Sequence, residues 1–325
     1  LVAMKNLIPL TAIAALVASG ISSAQDSTPA YSKPSGYVTQ NLEQGFNLIG
    51  LTLGPAAETS GTLTAVGATS VTDNGSDFST NLTAGALYTI EITSGTVSGL
   101  VVEVGSWSGD ILNTMDDLAA SGVIVGDTYR LTKSPTLEEI FGTAASVLKK
   151  SNNSSLADIL WVPNGSGSYI RYYQNNSGAW RNAAGGAAPN TPLVFLDGIF
   201  LEKKDSGTVL LVMTGQVRVD STIVTLGEGF NLVGTIFATG STIQSSGLDA
   251  TLKRSNNSSL ADIVWIPTAP GVYTRYYVNN GGTWRNAAGG AAPADLPITS
   301  AVFIERKDAG IIQVLLTPPA FYSSL

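Results

Sequence analysis

Residues 148–189 align with residues 252–293 at a constant offset of 104, and 31 of these 42 positions are identical. A chain that writes one segment twice at this fidelity builds from a repeated unit, not from one continuous core. The copies read Leu148-Lys-Lys-Ser-Asn-Asn-Ser-Ser-Leu-Ala-Asp-Ile-Leu-Trp161 and Leu252-Lys-Arg-Ser-Asn-Asn-Ser-Ser-Leu-Ala-Asp-Ile-Val-Trp265, then Trp180-Arg-Asn-Ala-Ala-Gly-Gly and Trp284-Arg-Asn-Ala-Ala-Gly-Gly. With one residue deleted, the match runs on through Ile199–Asp205 against Val302–Asp308. Upstream, Gly45-Phe-Asn-Leu-Ile-Gly50 pairs with Gly229-Phe-Asn-Leu-Val-Gly234 at an offset of 184, so the first copy holds 80 extra residues. The difference predicts a module inserted into the first repeat.

Charged residues make up 13% of the chain, well below the roughly 25% of an average soluble domain, and Gly reaches 35 of 325. Rich also in Thr, Val, Ile and Tyr, this composition suits many short strands joined by tight turns. The expected fold is all-β, with two homologous β-sandwich or barrel-like repeats and a small β-module inserted in the first. The expected boundaries are 41–57 with 134–217 for repeat one, 58–133 for the insert and 218–320 for repeat two. Alternation in Tyr169-Ile-Arg-Tyr-Tyr173 puts Tyr169, Arg171 and Tyr173 on one face of a strand, as it does Tyr273, Arg275 and Tyr277. Asn175–Gly178 and Asn279–Gly282 read as hairpin turns. Ser134-Pro-Thr-Leu-Glu-Glu-Ile-Phe141 predicts a short helix capped by Ser134 with Pro135 in its first position.

The start of the chain reads as an export signal. Met4-Lys5 and the apolar run Leu7–Val17 lead to Ser22-Ser23-Ala24, small residues where signal peptidase cuts. Residues 1–24 are expected to be removed, 25–40 to form an N-terminal linker, and Leu1-Val2-Ala3 to precede the initiator Met4. No later apolar stretch reaches the length of a membrane-spanning helix. The mature chain is therefore expected outside the cell or on its surface.

The paired Gly-Phe-Asn-Leu, Tyr-Tyr, Trp-Arg and Phe-Ile/Leu-Glu-Arg/Lys-Lys segments, with Tyr88-Thr-Ile-Glu-Ile-Thr-Ser-Gly95 and Gly126-Asp-Thr-Tyr-Arg130 in the insert, carry a resemblance. The chain resembles an uncharacterised secreted paralogous family of Verrucomicrobia and related bacteria over nearly all its mature length. The resemblance implies export and a two-repeat architecture, and supplies no activity or catalytic residue.

The sequence holds neither His nor Cys. Disulfides, thiolate nucleophiles, zinc-thiolate sites and every His-based triad are thereby excluded. Catalysis would have to rest on carboxylates, Lys, Tyr or Ser, and no cofactor is expected. A net charge of −7 disfavours nucleic acid, which demands a basic surface. The duplicated set Trp161, Tyr169, Arg171, Tyr173, Trp180 and Arg181 with Trp265, Tyr273, Arg275, Tyr277, Trp284 and Arg285 is the candidate binding site. Exposed rings stack on sugars and Arg donates to hydroxyls, whereas buried rings would be core plugs and cross-strand pairs.

Asp158, Asp262, Glu202 with Asp205, and Glu305 with Asp308 are candidate acids for a glycosidase. Asp73-Asn-Gly-Ser-Asp77 is the nearest approach to a calcium loop, and reads as a turn. From these features the expected function is that of a non-enzymatic structural or adhesive component, joining itself or other surface proteins. Bivalent polysaccharide binding is the alternative and carboxylate glycoside hydrolysis the third.

Overall fold

The computed structural model describes residues 34–164, 168–188, 190–234 and 237–324. The expected signal peptide, 1–24, lies outside the described residues, as does the linker as far as residue 33. Residues 35–40 are strand and not linker, because they pair along the chain's own residues 211–216.

The first copy opens with β1 (Ser35–Leu42), β2 (Gly45–Gly50) and β3 (Leu53–Gly54). The insert supplies β4 (Ala57–Thr62), β5 (Ala65–Val66), β6 (Ser70–Thr72), α1 (Phe78–Asn81), β7 (Tyr88–Ile92), β8 (Val101–Ser108), β9 (Ile111–Thr114) and β10 (Thr128–Lys133). The chain then returns through α2 (Leu137–Phe141) to β11 (Ile159–Pro163), β12 (Tyr169–Gln174), β13 (Trp180–Asn182), β14 (Gly198–Lys203) and β15 (Val209–Val217). The second copy holds β16 (Thr222–Leu226), β17 (Gly229–Val233), β18 (Ile263–Ala269), β19 (Val272–Val278), β20 (Trp284–Asn286), β21 (Val302–Arg306) and β22 (Ile312–Leu316). No helix among the described residues is long and apolar enough to cross a membrane.

In the first copy, the sheet β13-β12-β11-β14-β2 packs on the sheet β1-β15-β3. Ile49, Leu160, Tyr172, Trp180, Ile199 and Leu201 from the one meet Leu42, Leu211 and Met213 from the other, and α2 adds Leu137 and Phe141. The second copy has the sheet β17-β21-β18-β19-β20 over the pair β16-β22. Registers match across the copies: Trp161 faces Arg171 as Trp265 faces Arg275, and Tyr173 faces Arg181 as Tyr277 faces Arg285. Gly178 and Gly282 alone take positive φ in the two hairpins, where Asn175 and Asn279 act as side-chain acceptors for the turn's own N–H groups.

The helix starts two residues later than expected. Leu193 N–H donates to Pro135 O and Ser134 N–H to Leu87 O, so the chain is still extended there. Thr136 is the cap, with Glu139 completing a reciprocal capping box.

The insert is one seven-stranded antiparallel sheet, β4-β10-β7-β8-β9-β6-β5, curled around Leu63, Phe78, Tyr88, Ile90, Tyr129 and Leu131. Its first and last strands are neighbours, with Ala57 opposite Thr132. Among the described residues, several contacts moor it to the second copy, one of them the bond from Arg130 Nη1 to Asp220 at 3.3 Å. Ile223 N–H donates to Gly99 O, which places the Ile223 side chain in the insert's own core. Glu91 takes a two-pronged bond from Arg130 at 2.7 Å, and Arg218 Nη2 lies 2.6 Å from it, a charge contact outside hydrogen-bond geometry.

Candidate functional site

Strand alternation sorts each five-stranded sheet into an inner face, which fills its sandwich, and an outer face carrying Phe46, Trp161, Tyr169, Arg171 and Phe200, or Phe230, Trp265, Tyr273, Arg275 and Phe303. On each sheet a guanidinium sits over the indole: Arg171 lies 5.4 Å from the Trp161 ring and Arg275 lies 5.3 Å from that of Trp265. A phenylalanine flanks the same ring, Phe46 at 5.9 Å and Phe230 at 5.8 Å. Tyr169 stands edge-on to Phe200, and Tyr273 edge-on to Phe303.

The two outer faces meet. Phe200 and Phe303 lie 5.6 Å apart, which links the rings of both copies into one band. Gly198 permits this approach, since a Cβ there would fall 2.5 Å from that of Ala301. At the rim, Gly271 N–H donates to Phe46 O. Burial raises the pKa of Tyr169, and the charge of Asp197 raises it further; burial and then Tyr169 do the same for Tyr273. Both hydroxyls therefore stay protonated well past neutrality.

Of the twelve candidate residues, four are buried, Trp180 and Trp284 in the cores and Tyr173 and Tyr277 on the outer faces. Trp180 is 1% exposed and stands edge-on to Phe141, and its Nε1 donates to Gly142 O at 2.9 Å. Trp284 is 6% exposed; a turn replaces the helix at 243–245, and its Nε1 is buried without an acceptor. Tyr173 and Tyr277 are buried too. These four rings cannot stack on a ligand, which corrects their placement in a binding face. Arg181 and Arg285 turn back on their own loops, toward Gly185 O and Gly289 O. The remaining six belong to the aromatic band.

Four further rings of that band, Phe46, Phe200, Phe230 and Phe303, escaped the sequence reading. Phe46 and Phe230 are 40% and 63% exposed. The signal was present in the duplicated Gly-Phe-Asn-Leu motif, where a large apolar side chain precedes an Asn that is buried in the first copy and half-buried in the second. That Asn bridges backbone: Asn47 Nδ2 donates to Glu43 O and Leu201 O, and Asn231 Nδ2 to Gly227 O and Ile304 O.

The candidate glycosidase acids are engaged by backbone N–H groups and lysines. Asp158 accepts from the backbone N–H groups of Lys149 and Lys204, both at 2.8 Å, and Asp262 from those of Lys253 and Lys307 at 2.9 and 2.8 Å. Each thereby ties its Ser-Asn-Asn loop to the turn after the strand bearing Phe200 or Phe303. Glu202 pairs with Lys204, Glu305 with Lys307, Asp205 with Lys149 and Asp308 with Lys253. Asp73 is taken up by Gly75 N–H, Ser76 Oγ and Tyr129 OH, while Asp77 caps α1. Among the described residues, no group of three or more carboxylates converges closely enough to hold a metal ion.

No protein-family model, curated protein or solved structure matches the chain.

Proposed function

We propose that the chain is an exported, non-enzymatic structural or adhesive component of the cell exterior that associates with copies of itself. The observation that supports this reading most is the free side of β1. Among the described residues this eight-residue strand pairs only with β15. Its sequence, Ser-Gly-Tyr-Val-Thr-Gln-Asn-Leu, has no charge and no proline, the devices that ordinarily protect an edge. The corresponding strand of the second copy, β16, has that side covered by Gly99 and Leu100 of the insert. Beside β1, Leu210 and Val212 project from β15 into solvent. A second β1, antiparallel to the first, would continue the sheet and extend this apolar face. The resemblance to a secreted family and the signal-like N-terminus support export.

Light scattering after size exclusion tests the reading. The purified protein should run above its monomer mass at micromolar concentration, and Tyr37→Lys with Thr39→Lys should return it to monomer with an unchanged circular dichroism spectrum. A wild-type monomer at every concentration refutes it.

Polysaccharide binding stands second, favoured by the exposure of Phe46 and Phe230 at the ends of the aromatic band. Arg and Phe already flank the indoles of Trp161 and Trp265, which weakens the case for them as sugar platforms. Retention on insoluble glycans, lost in Phe46→Ala with Phe230→Ala, would support this second reading.

A further inference from the structure

The insert and the two copies line an open cleft of about 630 Å3, within the range of small-molecule sites. Its exposed walls are about evenly polar and apolar, the apolar part including Val101 from the insert, Val194 and Leu196 from the first copy, and Leu232 from the second. Among the described residues, the charged ones lining it are Glu103 on β8, Asp116 after β9 and Asp197 before β14. None of the three pairs with Lys or Arg among the described residues, although Glu91, on the same face of the insert, is neutralised by Arg130 and Arg218. One half of the module junction is therefore charge-balanced, and the other gathers negative charge against partly apolar walls.

That arrangement disfavours the charged form of the carboxyls. Burial raises the pKa of Asp197 to about 7, and the Glu103 charge adds to the rise; burial and then Asp116 raise that of Glu103. Tyr169 is the other titratable group that senses Asp197. Among the described residues, the charged and titratable groups that line the cleft about Asp197 are thus anionic or neutral.

We propose that this cleft binds a primary amine carrying an apolar tail, its ammonium held between Asp197 and Glu103 and its tail along the valine and leucine walls. An ammonium brings three donors and the missing charge, and carboxylates supply only acceptors. The site is independent of the β1 edge.

Calorimetric titration of the full chain at pH 8 tests it, with hexylammonium as the probe and 1-hexanol as the uncharged comparator. Hexylammonium should bind saturably at one site, and hexanol about tenfold more weakly or worse, for want of charge-assisted hydrogen bonds. Asp197→Asn should weaken hexylammonium by a similar factor, as should lowering the pH from 8 to 6, where Asp197 takes up its proton. Glu103→Gln, on a different module, gives the same reading should Asp197→Asn fail to fold. Equal binding of amine and alcohol, no binding of either, or wild-type affinity in these variants would overturn the proposal.

Discussion

Phe200 and Phe303 meet at 5.6 Å with their rings inclined by 35°, and they join the outer faces of two sheets that lie about one hundred residues apart in sequence. Each ring also holds a tyrosine edge-on, so the pair is the middle of a longer aromatic run. A double-mutant cycle with Phe200→Ala and Phe303→Ala should return a coupling of about 0.5–1.5 kcal/mol in denaturant unfolding. Additive effects would mean that the copies touch here without stabilising one another.

Trp180 and Trp161 are two indoles of one sheet with opposite fates. Trp180→Ala empties the centre of a core and should cost about 3–5 kcal/mol. Trp161→Ala removes a half-buried ring and a cation–π contact of about 0.5–1 kcal/mol, and should cost clearly less. Urea midpoints of the two variants check the order.

The difference between those indoles shows what the chain disclosed about itself before folding. Strand type, the hairpin turns and the placing of Tyr169, Arg171 and Tyr173 on one face followed from period-two alternation. Alternation does not say which face is covered, because here each sheet has packing on both sides. Tyr173 is buried on the outer face, while Ile170, on the inner-face parity, is exposed at the strand's end. The Phe200–Phe303 contact and the three-carboxylate cleft depend on how separate modules dock, which no local pattern encodes. The helix cap was misplaced for a simpler reason: Ser134 and Thr136 are both good caps, and tertiary hydrogen bonds to Leu87 and from Leu193 decided between them.

Asp158 and Asp262 do the same work twice. Replacing either by Ala leaves two backbone N–H groups without their acceptor, at an expected cost of about 1–3 kcal/mol. Amide hydrogen exchange should localise the loss of protection, at Lys149 and Lys204 in one variant and at Lys253 and Lys307 in the other.

The half-buried Asp197 carboxyl gives stability a pH slope of unusual sign. Its pKa is about 7 in the folded chain and near the ordinary value of 3.8 in the unfolded one, so the folded state holds the proton longer. The contribution is complete below pH 4 and is lost as pH rises toward 7, on the order of 4 kcal/mol in all. Asp197→Asn should flatten that part of the curve of unfolding free energy against pH. A wild-type slope in the variant would assign the effect to another group.

The pairing of Ala57 with Thr132 separates the seven-stranded insert from its host more cleanly than its size suggests. Because the chain leaves and re-enters at adjacent strands, the gap that 76 residues span is one strand spacing, about 4.8 Å. A short turn could bridge the same gap without moving the strands of either host sheet. What the module adds beyond such a turn is its hold on the second copy, through Ile223 and Arg218.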